Sequence, residues 1–392
     1  MKICILTRSL PIHRTGGLET HTWDLATGLV RKNHTVHIIT SAHPEGKESD
    51  RINGVNIHFV PNTKPAVYTP MFFPRLNRLL SGIHEKEKFD LVHSEGFAGL
   101  TFKPPEGLPL VATLHGTLYS ETPLYHEYFR PLCFCDKLRT MWRYRWRIAI
   151  RLLYQKFLKT CDRIFVDSGF SRRVTLSDRR DIADAIRVVP LGIDVSDPPD
   201  MDRDAARKRL GLSMENPLFF TLSRIENMKG VDVALRAFSQ LKRKDVTYII
   251  GGEGRMRAEL EDEKHEMGLD NVIFTGRISD DDLSDYFTAA DVFIYPEISH
   301  PAFGLVSVEA MFHGAPVLGT DAGAIPEVVS PETGKIVSRG NPDALCEGMK
   351  DMLENIDLWR TREAKLREYV MKNYSLDRFL EDTLKVYTEL VR

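Results

Sequence analysis

The feature that most constrains the fold is an alternation, repeated twice along 392 residues, of short apolar runs with longer stretches whose apolar residues recur every three or four positions. Lys2-Ile3-Cys4-Ile5-Leu6 opens the series as a buried parallel strand, a loop with Gly16-Gly17 follows, and Leu25, Ala26, Leu29 and Val30 mark the buried face of a helix. Residues 36–40 return as a strand, which completes a βαβ unit of roughly 30 residues or slightly more. Further strands are predicted at 90–93, 110–114, 163–166 and 187–189. Strands alternating with helices in this way form a doubly wound parallel sheet.

Between Asp194 and Asp204 the chain becomes rich in aspartate and proline, which suits neither a strand nor a helix core and reads as a linker. A second alternation then begins, with strands predicted at 218–222, 247–250, 272–275, 292–295 and 316–318 and helices at 231–241, 255–267 and 281–290. The fold class is α/β, two Rossmann-like doubly wound domains in series. A ligand site is expected where the carboxyl ends of both sets of strands face each other across a cleft.

Composition narrows the setting. With 42% hydrophobic and 28% charged residues the chain is an ordinary globular protein rather than a disordered one. Cys4, Cys133, Cys135, Cys161 and Cys346 form no CxxC pair and have no histidine at zinc spacing, so neither a disulfide framework nor a structural metal is indicated and a reducing cytoplasm is expected. The apolar run from Ile3 to Leu6 is too short for a signal peptide, and no stretch has the length of a membrane span.

The near-neutral net charge hides an asymmetry: 28 Lys+Arg against 19 Asp+Glu in residues 1–194, and 25 against 36 in residues 195–392. Much of the basic excess lies in 137–159, where eight cations stand among Trp142, Tyr144, Trp146 and Tyr154 with no acid. One reading is a helix lying on an anionic membrane surface or meeting an anionic acceptor. The preferred one is a solvated basic face with Leu138, Met141, Ile148, Leu152 and Phe157 turned inward. Only this segment favours nucleic acid, and the overall charge opposes it.

The residues that carry chemistry cluster in the second half. The first strand there runs into Ser223-Arg224-Ile225-Glu226-Asn227-Met228-Lys229-Gly230, which places two cations on a strand-to-helix loop suited to a diphosphate. Gly251-Gly252-Glu253-Gly254 does not fit GxGxxG and reads as a turn. The stretch from Phe303 to Gly314 is a helix started by Gly304, whose first N–H groups, near Leu305 and Val306, would point at an anion, while Glu309 lies one turn in and could accept from a sugar diol. A carboxylate in so apolar a helix is costly to bury without a partner, which argues for a ligand. Asp280-Asp281-Asp282 and Asp202-Arg203-Asp204 lie at helix starts or in the linker and read as caps rather than metal ligands.

Six stretches fall in one order along nearly the whole chain: Gly16-Gly17-Leu18-Glu19-Thr20-His21, Thr113-Leu114-His115-Gly116, Val189 to Asp194, Ser223-Arg224 with Lys229-Gly230, Val272 to Gly276, and Phe303 to Val306 with Glu309-Ala310-Met311. Together they resemble glycosyltransferase family 4. The resemblance implies a GT-B fold, with residues 1–194 as the acceptor-side domain, 195–375 as the donor-side domain, and a terminal helix over 376–392 packing back on the first. It implies retaining transfer of a hexose-type sugar from a UDP-sugar or GDP-mannose to a sugar or lipid-linked hydroxyl, in polysaccharide or glycolipid synthesis, with no cofactor and no catalytic metal. The enzyme would be cytoplasmic or peripheral at the inner face of the membrane.

Carried over by motif, Arg224 and Lys229 would bind the diphosphate with the backbone of Leu305 and Val306 beside Phe303 and Gly304, and Glu309 would hold the ribose. Arg277 and Ile278 would meet the base, Gly16 and Gly17 would face phosphate and acceptor, and His115 would approach the donor sugar. The chain departs from the family at one point: where an E-x7-E pattern has its first glutamate, this sequence has Pro301. Glu297, four residues earlier, is a conceivable substitute as donor-sugar ligand. The departure keeps a second reading open, a nucleotide-sugar-binding protein without transfer. A nicotinamide-dependent oxidoreductase is disfavoured, since no GxGxxG follows the first strand and no acid closes the second at Thr40.

Overall fold

The computed structural model describes residues 1–14, 16–116, 152–196, 198, 199 and 201–391. They form two compact units, Met1–Leu191 with Phe379–Arg392, and Gly192–Arg378. The 137–159 segment falls outside the described residues up to position 151.

The first unit is built on an eight-stranded sheet in the order β3-β4-β2-β1-β5-β6-β7-β8. Its strands are β1 (Lys2–Leu6), β2 (Thr35–Thr40), β3 (Ser49–Ile52), β4 (Val55–Phe59), β5 (Leu91–Glu95), β6 (Leu110–Leu114), β7 (Arg163–Val166) and β8 (Ile186–Val188). Every pairing is parallel except β3 with β4. That antiparallel edge was missed from sequence, although Asn53-Gly54, both at positive φ, is a strong hairpin signal between Ile52 and Val55. Central strands β1, β5 and β6 bury nearly every residue because helices cover both faces. One of these helices, Gly17–Arg31, turns Leu25, Ala26 and Leu29 inward.

In the helix over 152–160, Tyr154, Phe157 and Leu158 are buried, while Leu152 is 61% exposed and so is not among the inward residues. Tyr154 takes that role because it lies three residues before Phe157 on the same face. At the other end of the chain the helix Leu376–Leu390 returns Phe379 onward to the first unit, where Leu380 lies against Gly28 and Tyr387 is fully buried.

The second unit carries a six-stranded, wholly parallel sheet in the order β11-β10-β9-β12-β13-β14. The strands are β9 (Leu218–Leu222), β10 (Thr247–Gly251), β11 (Val272–Gly276), β12 (Val292–Tyr295), β13 (Val317–Thr320) and β14 (Gly334–Val337). The helix Val231–Leu241 packs Val231, Ala234, Leu235 and Phe238 into a core with Tyr248, Ile250 and Met349. Asp202 caps the helix Arg203–Arg209 by accepting from the Ala205 N–H at 2.8 Å. At Asp280–Ala289 the cap is Ser279, with the three aspartates in the first turn, where they favour the positive end of the helix dipole.

Both sheets contain a point at which the chain reverses its direction of travel across the sheet. In the first unit β1 leads to β2 on one side, and β5 is then laid down on the other. In the second, β9 leads to β10 and β11, and β12 is then added on β9's free side. Open α/β sheets bind ligands outside the carboxyl ends of the strands at such switch points. Among the described residues no helix is long and apolar enough to cross a membrane.

Candidate functional site

Every donor-side residue singled out from sequence in the second unit lies on a loop that follows the carboxyl end of a strand or, for Leu305, Val306 and Glu309, in the first five residues of the helix that such a loop leads into. Arg224 and Lys229 follow β9, Arg277 and Ile278 follow β11, and Glu297 and residues 301–309 follow β12. The loops after β9 and β12 flank the switch point, and they are tied together. Ile298 and Ser299 donate their N–H groups to the Met228 carbonyl at 3.1 and 3.2 Å. Gly230 has φ +68, and a Cβ there would come within 1.9 Å of the Pro296 carbonyl oxygen. Only glycine fits that conformation and that approach.

Across this junction Lys229 Nζ donates to Glu297 Oε2 at 2.5 Å. Glu297 is fully buried, and its other oxygen accepts from the Ser299 hydroxyl at 2.5 Å and from the Ser299 N–H at 3.3 Å. Both carboxylate oxygens are therefore engaged within the protein. A buried carboxylate needs such partners to stay ionised. Arg224 is exposed on the same loop, and Arg277 is exposed beyond β11.

Gly304, at φ +108, starts the helix Leu305–Phe312, and no side chain caps its N-terminus. The first N–H groups of that helix, with the positive end of its dipole, are what an anion would meet. Leu305, Val306 and Glu309 are half-buried, and Phe303 is buried against Tyr374 with ring centroids 5.5 Å apart. Pro301 is fixed by its backbone, since its carbonyl accepts from the Ala324 N–H at 3.0 Å.

The first unit has its own cluster at the carboxyl edge of its sheet, and sequence reasoning found only part of it. Glu95 ends β5, His115 follows β6, Asp167 follows β7, and His21 stands on the helix after β1. His115 Nε2 is hydrogen-bonded to Glu95 Oε2, and its Nδ1 lies 3.6 Å from Asp167 Oδ2. His93, fully buried within β5, lies with its Nε2 3.6 Å from Glu95 Oε1 and 2.6 Å from the Thr113 hydroxyl, and its Nδ1 is hydrogen-bonded to the Tyr387 hydroxyl. The ring of His21 stands edge-on to His115 at 5.0 Å. Three buried atoms here have no hydrogen-bond partner among the described residues: His21 Nε2, Glu95 Oε1 and Asp167 Oδ1.

The electrostatics follow from that packing. Burial opposes a charge on His115, but the carboxylates of Asp167 and Glu95 outweigh it and hold the imidazole well above its ordinary pKa. Burial alone would raise Glu95, yet His93 and His115 bring it down to about 2. Burial raises Asp167 despite the opposing pull of His115, and it lowers His21 to about 3. His115 and Glu95 are therefore an imidazolium–carboxylate pair at neutral pH, beside a neutral His21.

Among the described residues, His21, Glu95 and His115 have the spacing of a metal-ligand set, each offering an atom within 4.8 Å of the others. A protonated His115 has no lone pair to give a cation, so the proton and a metal would compete for that place.

The loop with Gly16 and Gly17 is ordered by Glu19. Its buried carboxylate accepts from the Ser9 hydroxyl at 2.5 Å and from Arg14 Nε at 2.7 Å. The sequence signals missed were acids on otherwise apolar strand ends, Glu95 and Asp167, and His21, which stood within a quoted motif but was given no role.

A doubly wound sheet with cations and an uncapped helix N-terminus at its switch point suits a nucleoside diphosphate group. Comparison with known proteins defines the class. Residues 15–197 match the family model described as Glycosyltransferase Family 4, and residues 202–373 match that described as Glycosyl transferases group 1. A glycosyltransferase of Methanocaldococcus jannaschii is 28% identical, with 99% of this chain and 98% of the relative covered. The GDP-mannose-dependent monoacylated alpha-(1-6)-phosphatidylinositol monomannoside mannosyltransferase of Corynebacterium glutamicum is 31% identical over 43% of this chain and 46% of its own length.

Among solved structures, sucrose-phosphate synthase from Thermosynechococcus elongatus superposes with a TM-score of 0.79 at 21% identity, covering 99% of this chain and 98% of that one. Anabaena HepE in complex with UDP-glucose does so with a TM-score of 0.73 at 19% identity, over 99% and 100%. The chain belongs to glycosyltransferase family 4 and has the GT-B fold, as its motifs led us to expect.

Proposed function

We propose that this glycosyltransferase moves a hexose-type sugar, with retention of configuration, from a UDP-sugar or GDP-mannose to a sugar or lipid-linked hydroxyl. The observation that carries the reading is the grouping of Arg224, Lys229 and the uncapped N-terminus at Gly304–Val306 around the switch point between β9 and β12. As the bond to the anomeric carbon breaks, charge grows on the leaving diphosphate, and pre-placed cations and N–H groups stabilise it. Glu309 takes the ribose hydroxyls, and the backbone at Arg277 and Ile278 meets the base.

In the first unit His115 serves the donor sugar, and the Gly16-Gly17 loop serves phosphate and acceptor. The GDP-mannose-dependent Corynebacterium enzyme and the Anabaena protein in complex with UDP-glucose, both named above, support the two donor classes. No cofactor enters this reading, and no catalytic metal does. Residues 1–194 would form the acceptor side, with the helix over 376–392, and 195–375 the donor side. Work on a lipid-linked acceptor would bring the enzyme to the inner face of the membrane, with 137–159 as the contact.

The test is a thermal-shift screen of UDP- and GDP-sugars, followed by donor hydrolysis and by NMR of the product's anomeric proton. Stabilisation by one donor and a product of the donor's own anomeric configuration are expected. An inverted product would end the retaining assignment. Pro301 favours a second reading, binding without transfer. In that case a donor would bind, with neither hydrolysis nor transfer to any acceptor supplied.

A further inference from the structure

Glu297, the acid in the loop after β12, is fully buried, and its position is fixed by four contacts. Its carboxylate holds Lys229 and Ser299, while its backbone carbonyl accepts from the buried Thr320 hydroxyl at 2.6 Å. The strand-end loops on either side are joined through Met228 and through the close approach of Gly230 to Pro296. Lys229, by contrast, keeps 23% of its side chain exposed. An ammonium has three N–H donors and rotates on a flexible stem. With one donor spent on a buried anion, the other two are directed by a rigid element.

We propose that Glu297 is a positioning residue for sugar transfer: it holds Lys229 Nζ in place for the diphosphate rather than contacting the donor sugar. The inference rests on the reading of Lys229 as a diphosphate ligand. It assigns the carboxylate closest in sequence to Pro301 to the leaving-group end of the donor, so this loop carries an acid that acts through a cation. A displaced Lys229 would still attract the bound diphosphate. It would miss the geometry in which charge develops, so turnover suffers more than affinity.

The experiment compares wild type with Glu297→Gln, Lys229→Met and the double variant. Affinity is measured for UDP, UMP, GDP and GMP, and kcat and KM for whichever of UDP-glucose, UDP-galactose, UDP-N-acetylglucosamine and GDP-mannose wild type hydrolyses fastest. Expected is a fall in kcat of about ten- to a hundredfold for Glu297→Gln, with diphosphate affinity changed by less than about threefold. The double variant should be no slower than Lys229→Met alone, because the glutamate acts through the lysine.

Glu297→Asp keeps the charge but retracts it by one methylene, and should fall between wild type and Glu297→Gln. It carries the test if Glu297→Gln does not fold. Unchanged kcat in Glu297→Gln, or in the aspartate variant if that alone folds, would overturn the inference while leaving the donor site standing. So would kcat losses that multiply in the double variant. Failure of wild type to bind UDP or GDP and to hydrolyse any of the sugars would overturn both.

Discussion

Each unit buries a glutamate at the carboxyl edge of its sheet, and the two are treated differently. Glu297 meets a lysine and a serine, and both of its oxygens are occupied. Glu95 meets histidines, and its Oε1 has no hydrogen-bond partner among the described residues. With both oxygens spent on partners within the same two loops, the Glu297 pair is a fixed arrangement. Histidine partners change charge near neutrality unless their surroundings prevent it. The Glu95 cluster is thus the titratable one, and it retains unused hydrogen-bonding capacity that a sugar hydroxyl could take up.

The largest effect should come from breaking the titratable cluster. Glu95→Ala leaves the half-buried His115 imidazolium without its closest counter-ion, and loss of one partner of a buried pair costs about 3 to 5 kcal/mol. Urea unfolding measures this directly. A loss below about 1 kcal/mol would mean that His115 gives up its proton readily. Glu95→Gln keeps the shape and removes the charge, so His115 should titrate at lower pH than in wild type. If His115 serves the donor sugar, the pH profile of kcat then gains an inflection near neutrality that wild type lacks. Superimposable profiles would detach the charge on His115 from turnover.

The fixed pair comes next. Lys229→Ala should lower kcat by about a hundred- to a thousandfold, the range for one preorganised donor at a developing anion, with nucleotide affinity falling by less. Equal turnover by variant and wild type would remove Lys229 from the leaving-group site.

What could be read from sequence divides along the same line. Repetition makes strands legible: β1, β6, β7, β9 and β12 stand where their apolar runs predicted them. Helices such as Val231–Leu241 follow the 3.6-residue period with equal clarity. The edge hairpin was missed because β3 reads as polar: Ser49, Asp50 and Arg51 are half-buried or exposed, and only β4 alternates.

At the sites, residue type was legible but partnership was not. Lys229 and Glu297 are 68 residues apart, and Glu95 and His115 are 20 apart, at the carboxyl ends of neighbouring strands. Which acid meets which base depends on strand order, and β12 lies beside β9 only because the chain reverses direction after β11. The sequence therefore suggested Glu297 as a sugar ligand, whereas its surroundings give it a cation.

A smaller effect tests whether the titratable cluster is set for neutral pH. His21 has a folded-state pKa of about 3 against an ordinary 6.5, because burial disfavours its charge. Between those values the unfolded chain binds a proton that the native one does not, so stability falls as pH drops from about 6.5 toward 3. His115 runs the other way. Its raised pKa contributes stability that is complete below the unfolded value and is lost as pH climbs through the folded one. His21→Asn should flatten the acid limb by up to about 1.4 kcal/mol per pH unit relative to wild type. Urea titrations between pH 4 and 6.5 measure that slope, and matching slopes would show that His21 takes up its proton in the native state.

The smallest effect is expected at Arg224, and it separates the two cations of the donor loop. Lys229 is held by a buried acid, whereas Arg224 is exposed. An exposed guanidinium offers a fork to two phosphate oxygens, which an ammonium cannot match. Arg224→Lys keeps the charge, so UDP or GDP affinity should fall by about three- to tenfold, near 1 kcal/mol, with kcat changed less than affinity. That is the inverse of the split expected when Glu297 loses its charge. A fall in kcat larger than the fall in affinity would place Arg224 with Lys229 at the developing charge, and the contrast between a fixed cation for turnover and an exposed one for binding would not hold.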